Sequence, residues 1–203
     1  MNRHLTTWST CCLCLVAALT GIASERPVTI EKATLGETRN VHRIGKLYLA
    51  GQPKQSDLAA IKAQGVARIV TLLLDRELDW DQATAARNQG LEFIKVPFRA
   101  PNTLTDDVFD RVRGLLREAA KTPTLVHCGS ANRVGAVWLT FRVLDQQVPL
   151  STALPEARKI GLKTAAYERR AVAYIRARST ASRPPEESVR PGINKGFLDP
   201  NLD

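Results

Sequence analysis

The chain has 203 residues, 44% hydrophobic, 24% charged and only 5% aromatic, a balance that fits one globular domain with short appendages and excludes a fibrous or wholly disordered polypeptide. Lys and Arg number 29 against 20 Asp and Glu, a formal charge of +9, which suits an anionic substrate or surface. The positive charges, among them Arg111, Arg113, Arg117, Arg169, Arg170, Arg176 and Arg178, are scattered with no basic run interleaved with aromatics, so no nucleic-acid partner is expected.

Residues 1–23 read as an export leader. Arg3 and His4 precede an apolar stretch, 13–18, that runs on to Gly21-Ile22-Ala23, where small residues suit cleavage. The apolar core is shorter than the ~20 residues a membrane-spanning helix needs. A periplasmic or secreted protein without stable membrane insertion is therefore expected. Loss of the leader removes Cys11, Cys12 and Cys14 and leaves Cys128 as the single thiol, which rules out a disulfide within one mature chain. In an oxidising compartment such a thiol is either buried as a small apolar group or retained for chemistry.

Residues 24–40 read as a polar lead-in, and the ordered pattern begins over 41–49 with a strand pair or a strand and turn, ended by Gly51-Gln52-Pro53. Ser56 can cap a short helix over 57–64, which Gly65 closes. The apolar run 67–74 has the character of a parallel strand buried on both faces. The alternation repeats with a helix over 80–88 stopped by Gly90, a strand over 91–98, a helix over 105–120 and a strand over 124–127. Residues 133–147 are apolar on most sides, as in a central helix buried against the sheet. Helices over 151–160 and 164–178 complete the pattern. Residues 41–178 thus form an α/β domain with a mostly parallel central sheet flanked by helices, and 179–203, broken by Pro184-Pro185, Pro191-Gly192 and Pro200, an extended tail.

The segment His127-Cys128-Gly129-Ser130-Ala131-Asn132-Arg133 carries the chemistry. A strand ending in a cysteine, a short loop of small residues and a helix opened by arginine together make an anion site: loop N–H groups turn inward, and the first helical turn adds unpaired donors and its positive dipole end. Gly129 is expected to accept the unusual dihedrals of such a loop, while Ser130 and Ala131 leave room for a ligand. The field that attracts an anion also favours the Cys128 thiolate, the nucleophilic form, and the Arg133 fork suits two oxygens of a phosphoryl group. His127 either tunes Cys128 or points into the core. Asp75, Arg76 and Glu77 either border the site at the carboxyl end of their strand or form a solvated turn.

These residues resemble the signature of cysteine-dependent tyrosine and dual-specificity phosphatases. Leu47-Tyr48-Leu49-Ala50-Gly51-Gln52-Pro53, the 69–74 strand and Phe93-Ile94-Lys95-Val96-Pro97-Phe98 occur in the order found in compact dual-specificity-like domains, especially the small bacterial phosphatase-like family, so that the resemblance covers about 41–178. It implies hydrolysis of a phosphate monoester, on a protein or a small molecule, through a phosphocysteine at Cys128. Arg133 would bind the phosphate and Gly129, Ser130, Ala131 and Asn132 would supply backbone donors; no cofactor and no metal is implied.

Three features depart from that family. Four residues rather than the common five separate Cys128 from Arg133, and Val134 stands where a Ser or Thr usually helps the thiolate leave, so slow turnover is expected. After Val96-Pro97, where the family places an acidic residue, the chain reads Phe98-Arg99-Ala100-Pro101. Asp106 and Asp107 are the candidate general acids, although both fall in a first helical turn, where acidic residues are common for dipole reasons alone. Two other readings use the same loop: a rhodanese-like sulfurtransferase carrying a persulfide, and a non-catalytic domain that binds a phosphorylated or acidic ligand.

Overall fold

The computed structural model describes residues 28–100 and 102–181; the expected leader and nearly all of the expected tail lie outside the described residues. Six strands form one sheet: β1 (Glu31–Lys32), β2 (His42–Ile44), β3 (Leu47–Ala50), β4 (Arg68–Thr71), β5 (Glu92–Lys95) and β6 (Thr124–His127). Their order is β1-β2-β3-β6-β4-β5. The β1-β2 and β2-β3 pairs are antiparallel, and β3, β6, β4 and β5 run parallel. Strand β6 therefore lies inside the sheet, with His127 in register between Ala50 and Thr71.

Helices α1 (Leu58–Ala63), α2 (Gln82–Asn88), α3 (Asp106–Glu118), α4 (Asn132–Leu144), α5 (Leu150–Ile160) and α6 (Ala165–Ala181) cover both faces. Side-chain alternation along the strands divides the core in two. Tyr48, Ile69 and Leu125 pack with Leu58, Ile61 and Ala86, while Leu49, Val70 and Val126 pack with Phe109, Val137 and Tyr174. Cys128 belongs to the second cluster.

Helix α4 is enclosed: every residue from Arg133 to Arg142 is buried. The absence of a Cβ at Gly135 allows this, because one built there would meet the Ala157 carbonyl oxygen and the Leu162 nitrogen at 2.7 Å. Gly135→Ala is expected to destabilise the fold by about 1–3 kcal/mol through forced separation of α4 and α5, read as a lower urea midpoint with an unchanged slope.

The ordered chain starts earlier than the sequence pattern indicates. Residues within the expected lead-in form β1, and Leu35 is fully buried. The anchor is Asp57, whose carboxylate accepts from the Glu37 N–H at 2.8 Å, the Thr38 hydroxyl at 2.8 Å and the Lys54 N–H at 2.9 Å. Gly36, at φ 59°, lets the chain turn against that carboxylate. A polar sequence hid this docking because its stabilising contacts are hydrogen bonds to one distant side chain.

Candidate active site

Cys128 directly follows β6 at the carboxyl edge of the parallel strands and donates its N–H to the Ala50 carbonyl at 3.3 Å. The loop beyond it is held from outside by its carbonyls. Gln52 donates its N–H to the Gly129 oxygen at 3.4 Å, and the Asn40 amide donates to the Ser130 oxygen at 3.3 Å and to the Ile160 oxygen at 2.7 Å. Among the described residues, the N–H groups of Gly129, Ser130, Asn132 and Arg133 donate to no protein acceptor. All four residues line, with Cys128, a cavity of about 370 Å³. Outward carbonyls and unspent N–H groups are what an anion cradle requires.

The left-handed residue of this loop is Ala131, at φ 66°, and not Gly129. Ala131 caps α4 and is fully buried, so packing holds a conformation that costs a non-glycine residue roughly 1–3 kcal/mol. Gly129 has open space where a Cβ would stand. Ala131 does not line the cavity. Asn132 does, yet its side chain is committed elsewhere: its oxygen accepts from the N–H of Lys163 at 2.9 Å and of Thr164 at 3.3 Å, and its amide donates to the Thr164 hydroxyl at 2.5 Å. This ties the α5–α6 connection to the loop.

Arg133 is locked in place. Its Nη1 donates to the carbonyls of Leu72 at 2.8 Å and Phe98 at 3.0 Å and to Glu77 Oε2 at 2.8 Å, while Nη2 donates to Glu77 Oε1 at 2.7 Å. Nε–H and the second Nη2 hydrogen have no acceptor among the described residues, which leaves one edge of the guanidinium for a ligand in the cavity it lines. Burial opposes the positive charge, but the hydrogen bond to Glu77 and the nearby Cys128 and Glu77 charges outweigh it, and the Arg133 pKa is raised. Glu77 responds in kind: the Arg133 hydrogen bond holds its carboxyl below the usual range. Of the two readings of the 75–77 turn, Glu77 thus borders the site, whereas Asp75 pairs with Lys95 on the surface.

His127 is fully buried on the side of β6 opposite Cys128, and its ring nitrogens find no hydrogen-bond partner among the described residues. Burial, reinforced by the Arg133 charge, lowers its pKa to about 3 from 6.5. Between those values the unfolded chain takes up a proton that the folded protein refuses, so stability is complete above about pH 6.5 and is lost as pH falls toward 3. Glu77 and Asp57, whose folded carboxyls are depressed, add losses at the acidic end of that window. The urea midpoint is expected to fall steadily from pH 7 to pH 4 (roughly), and a His127→Gln variant to lose the upper part of that slope.

Asp106 and Asp107 open α3 behind the capping Thr105 and do not line the cavity; Asp106 is paired with Arg170 at 2.5 Å. The wall facing the loop consists of Arg99, Ala100, Thr164 and Tyr167. Tyr167 packs edge-on against Phe98, with ring centroids 6.2 Å apart. Glu77 is the one carboxylate among the described lining residues, and Arg133 occupies it. Arg99 stands 3.5 Å from the same carboxylate and is largely exposed. Among the described residues no group of three or more His, Cys, Asp or Glu could hold a metal ion, and no helix is long and apolar enough to cross a membrane.

No protein-family model and no curated protein matches the sequence. Solved structures do match. P. aeruginosa TpbA is 22% identical over 75% of this chain and 91% of its own, with a TM-score of 0.59. The core catalytic domain of the S. cerevisiae PP-IP phosphatase Siw14, solved with citrate, is 17% identical over 73% of this chain and 95% of its own, also at 0.59. A putative DUF442 phosphatase from Shewanella putrefaciens is 16% identical over 70% and 94%, at 0.58.

The fold is that of the tyrosine and dual-specificity-like phosphatases. In this phosphatase-like fold the chain places Cys128 and Arg133 on one cavity at the carboxyl edge of the sheet, where parallel α/β folds bind their ligands.

Proposed function

We propose that this chain is an exported cysteine-dependent phosphatase that hydrolyses a phosphate monoester through a phosphocysteine intermediate. One observation carries the reading: Cys128 shares its cavity with unspent loop N–H groups and with an Arg133 whose free edge is fixed by Glu77. A tyrosine phosphatase-like relative by fold, TpbA, has also been solved with phosphotyrosine, which supports a phosphorylated substrate.

In this mechanism the monoester dianion rests on the loop N–H groups and Arg133. The Cys128 thiolate attacks phosphorus, the S–P bond forms and the P–O bond breaks, and the oxygen of the leaving alcohol departs with the bonding pair. Water then attacks the phosphocysteine, releases inorganic phosphate and restores the thiolate. The charge that grows on the phosphoryl oxygens meets donors already in place, the arrangement that lowers a transition state most. The N-terminal apolar segment supports export, and an exported product shortened near Ala23, read by intact mass, would test it.

The assay is direct. Purified protein is offered 4-nitrophenyl phosphate in one reaction and thiosulfate with cyanide in another. Phosphate release with no thiocyanate is expected; thiocyanate would transfer the protein to the sulfurtransferases.

The lining residues also set the leaving-group dependence. With Glu77 committed to Arg133 and no other described carboxylate in the cavity, the departing oxygen must carry its own charge until water protonates it. Aryl phosphates are expected to turn over at least ~100-fold faster than alkyl phosphates, since a well-placed general acid contributes roughly 10²–10⁴-fold. A flat response across leaving groups would reveal an acid from another part of the chain. The same feature favours binding without efficient turnover as the second reading, which phosphate binding with no release from any ester would establish.

A further inference from the structure

We infer that the catalytic cavity continues into a second anion subsite, built by Lys163 and Arg169, that holds a second phosphate of the same substrate; this rests on the phosphatase reading above and specifies its substrate class. A hollow of about 590 Å³ is lined by Arg158, Leu162, Lys163, Ala165, Glu168 and Arg169. It adjoins the catalytic cavity along one stretch of backbone: Thr164 lines the cavity, and its neighbours Lys163 and Ala165 line the hollow.

The charges in the hollow are not equivalent. Arg158 and Glu168 satisfy each other through hydrogen bonds of 3.0, 3.1 and 3.3 Å. Lys163 and Arg169 have no side-chain partner among the described residues. Two positive charges are therefore left unspent beside a cavity that Arg133 and Arg99 also line. Arg is suited to grip a phosphate through paired N–H groups and Lys as a point charge.

The subsite is also fixed relative to Cys128. Asn132, in the catalytic loop, holds the N–H groups of Lys163 and Thr164. At Gly161 the same connection lies so close to Ala131 that an added Cβ would stand 3.1 Å from it. The backbone that carries Lys163 therefore moves with the loop that carries the nucleophile. A substrate with two phosphates can engage both places without ordering a flexible backbone segment, so the ordering cost of the second contact falls on the exposed Lys163 and Arg169 side chains alone.

The test uses the full chain carrying Cys128→Ser, so that no ester is consumed, and measures binding by calorimetry. Biphenyl-4-yl phosphate presents one phosphate, and biphenyl-4,4′-diyl bisphosphate presents two on the same rigid frame. The bisphosphate is expected to bind about 10-fold more tightly, the size of one partly screened charge-assisted contact. Adding Lys163→Ala and Arg169→Ala should bring the ratio of the two affinities to about one. A control with Lys121→Ala and Arg176→Ala removes the same net charge elsewhere and should keep the ratio. Equal binding of both ligands by the Cys128→Ser protein overturns this inference alone, as does an equal loss of the ratio in the control, which would assign the preference to the overall field. Failure of both ligands to bind removes the phosphatase reading and the subsite with it.

Discussion

Cys128→Ser is expected to lower phosphate release from 4-nitrophenyl phosphate by on the order of 10⁴-fold or more, because removal of a nucleophile from an organised site forfeits the covalent route. The substitution exchanges one small buried atom for another at a position 1% exposed, so folding and phosphate binding should persist. That separation matters. If release survives in the variant, the phosphocysteine pathway is wrong; if binding is lost with it, the sulfur has only a structural role. Iodoacetamide offers an independent reading: alkylation of Cys128, followed by peptide mapping, should be slowed by phosphate and stop turnover in proportion to the label incorporated at that residue.

The second large effect is expected at Glu77. Glu77 and Arg133 form a two-pronged ion pair in which the side chains are only 19% and 10% exposed, and loss of one partner strands the other. Glu77→Ala should cost on the order of 3 kcal/mol in unfolding free energy, since a buried guanidinium then retains only the carbonyls of Leu72 and Phe98. Glu77→Gln keeps the shape and some of the hydrogen bonding, so it should fold well and expose the catalytic part of the effect. With Arg133 held only by the Leu72 and Phe98 carbonyls and a weaker amide contact, its free edge is aimed less well and kcat/KM should fall roughly 10²-fold, because a donor aimed at the transition state is worth about that much. The fall should lie mainly in kcat, whereas simple destabilisation at a temperature where the variant is folded would move neither constant. Glu77 acts through Arg133, as a positioning residue, and this division between constants is its signature.

Much of the architecture was legible because two signals coincide. Residues 124–127 form a short β-branched and apolar stretch, Thr124-Leu125-Val126-His127, that stops at a cysteine, and the next long segment is apolar on most sides, as befits a helix packed on every side; β6 and the buried α4 follow from these patterns. The parallel order follows from strands alternating with helices. Other features depend on partners far along the chain. Leu35 and the docked N-terminal segment were hidden because one buried carboxylate, Asp57, supplies the acceptors. The left-handed residue falls on Ala131 rather than Gly129 because the close approach of Gly161 and the α4 cap set the loop's shape.

The site shows the same division. Cys128, Gly129, Ser130, Asn132 and Arg133 are adjacent in sequence and their spacing announces a cradle. Glu77 carried a weaker signal, its position just beyond a buried parallel strand. Thr164 and Tyr167 arrive from the last helix and its connection, and no local pattern marks them. Asp106 and Asp107 sit where a helix N-terminus favours acidic side chains, and one of them is spent on Arg170.

Asn40 joins the amino-terminal segment to the reactive loop, reaching Ser130 and the end of α5 with one amide. The shortest competent form of this protein is therefore longer than its helices and parallel strands alone would imply. Trimming past Leu35 would free the outer rim of the loop while leaving every residue of the Cys128-to-Arg133 stretch in place, so a shortened protein could fold, retain its thiol and still grip its ligand poorly.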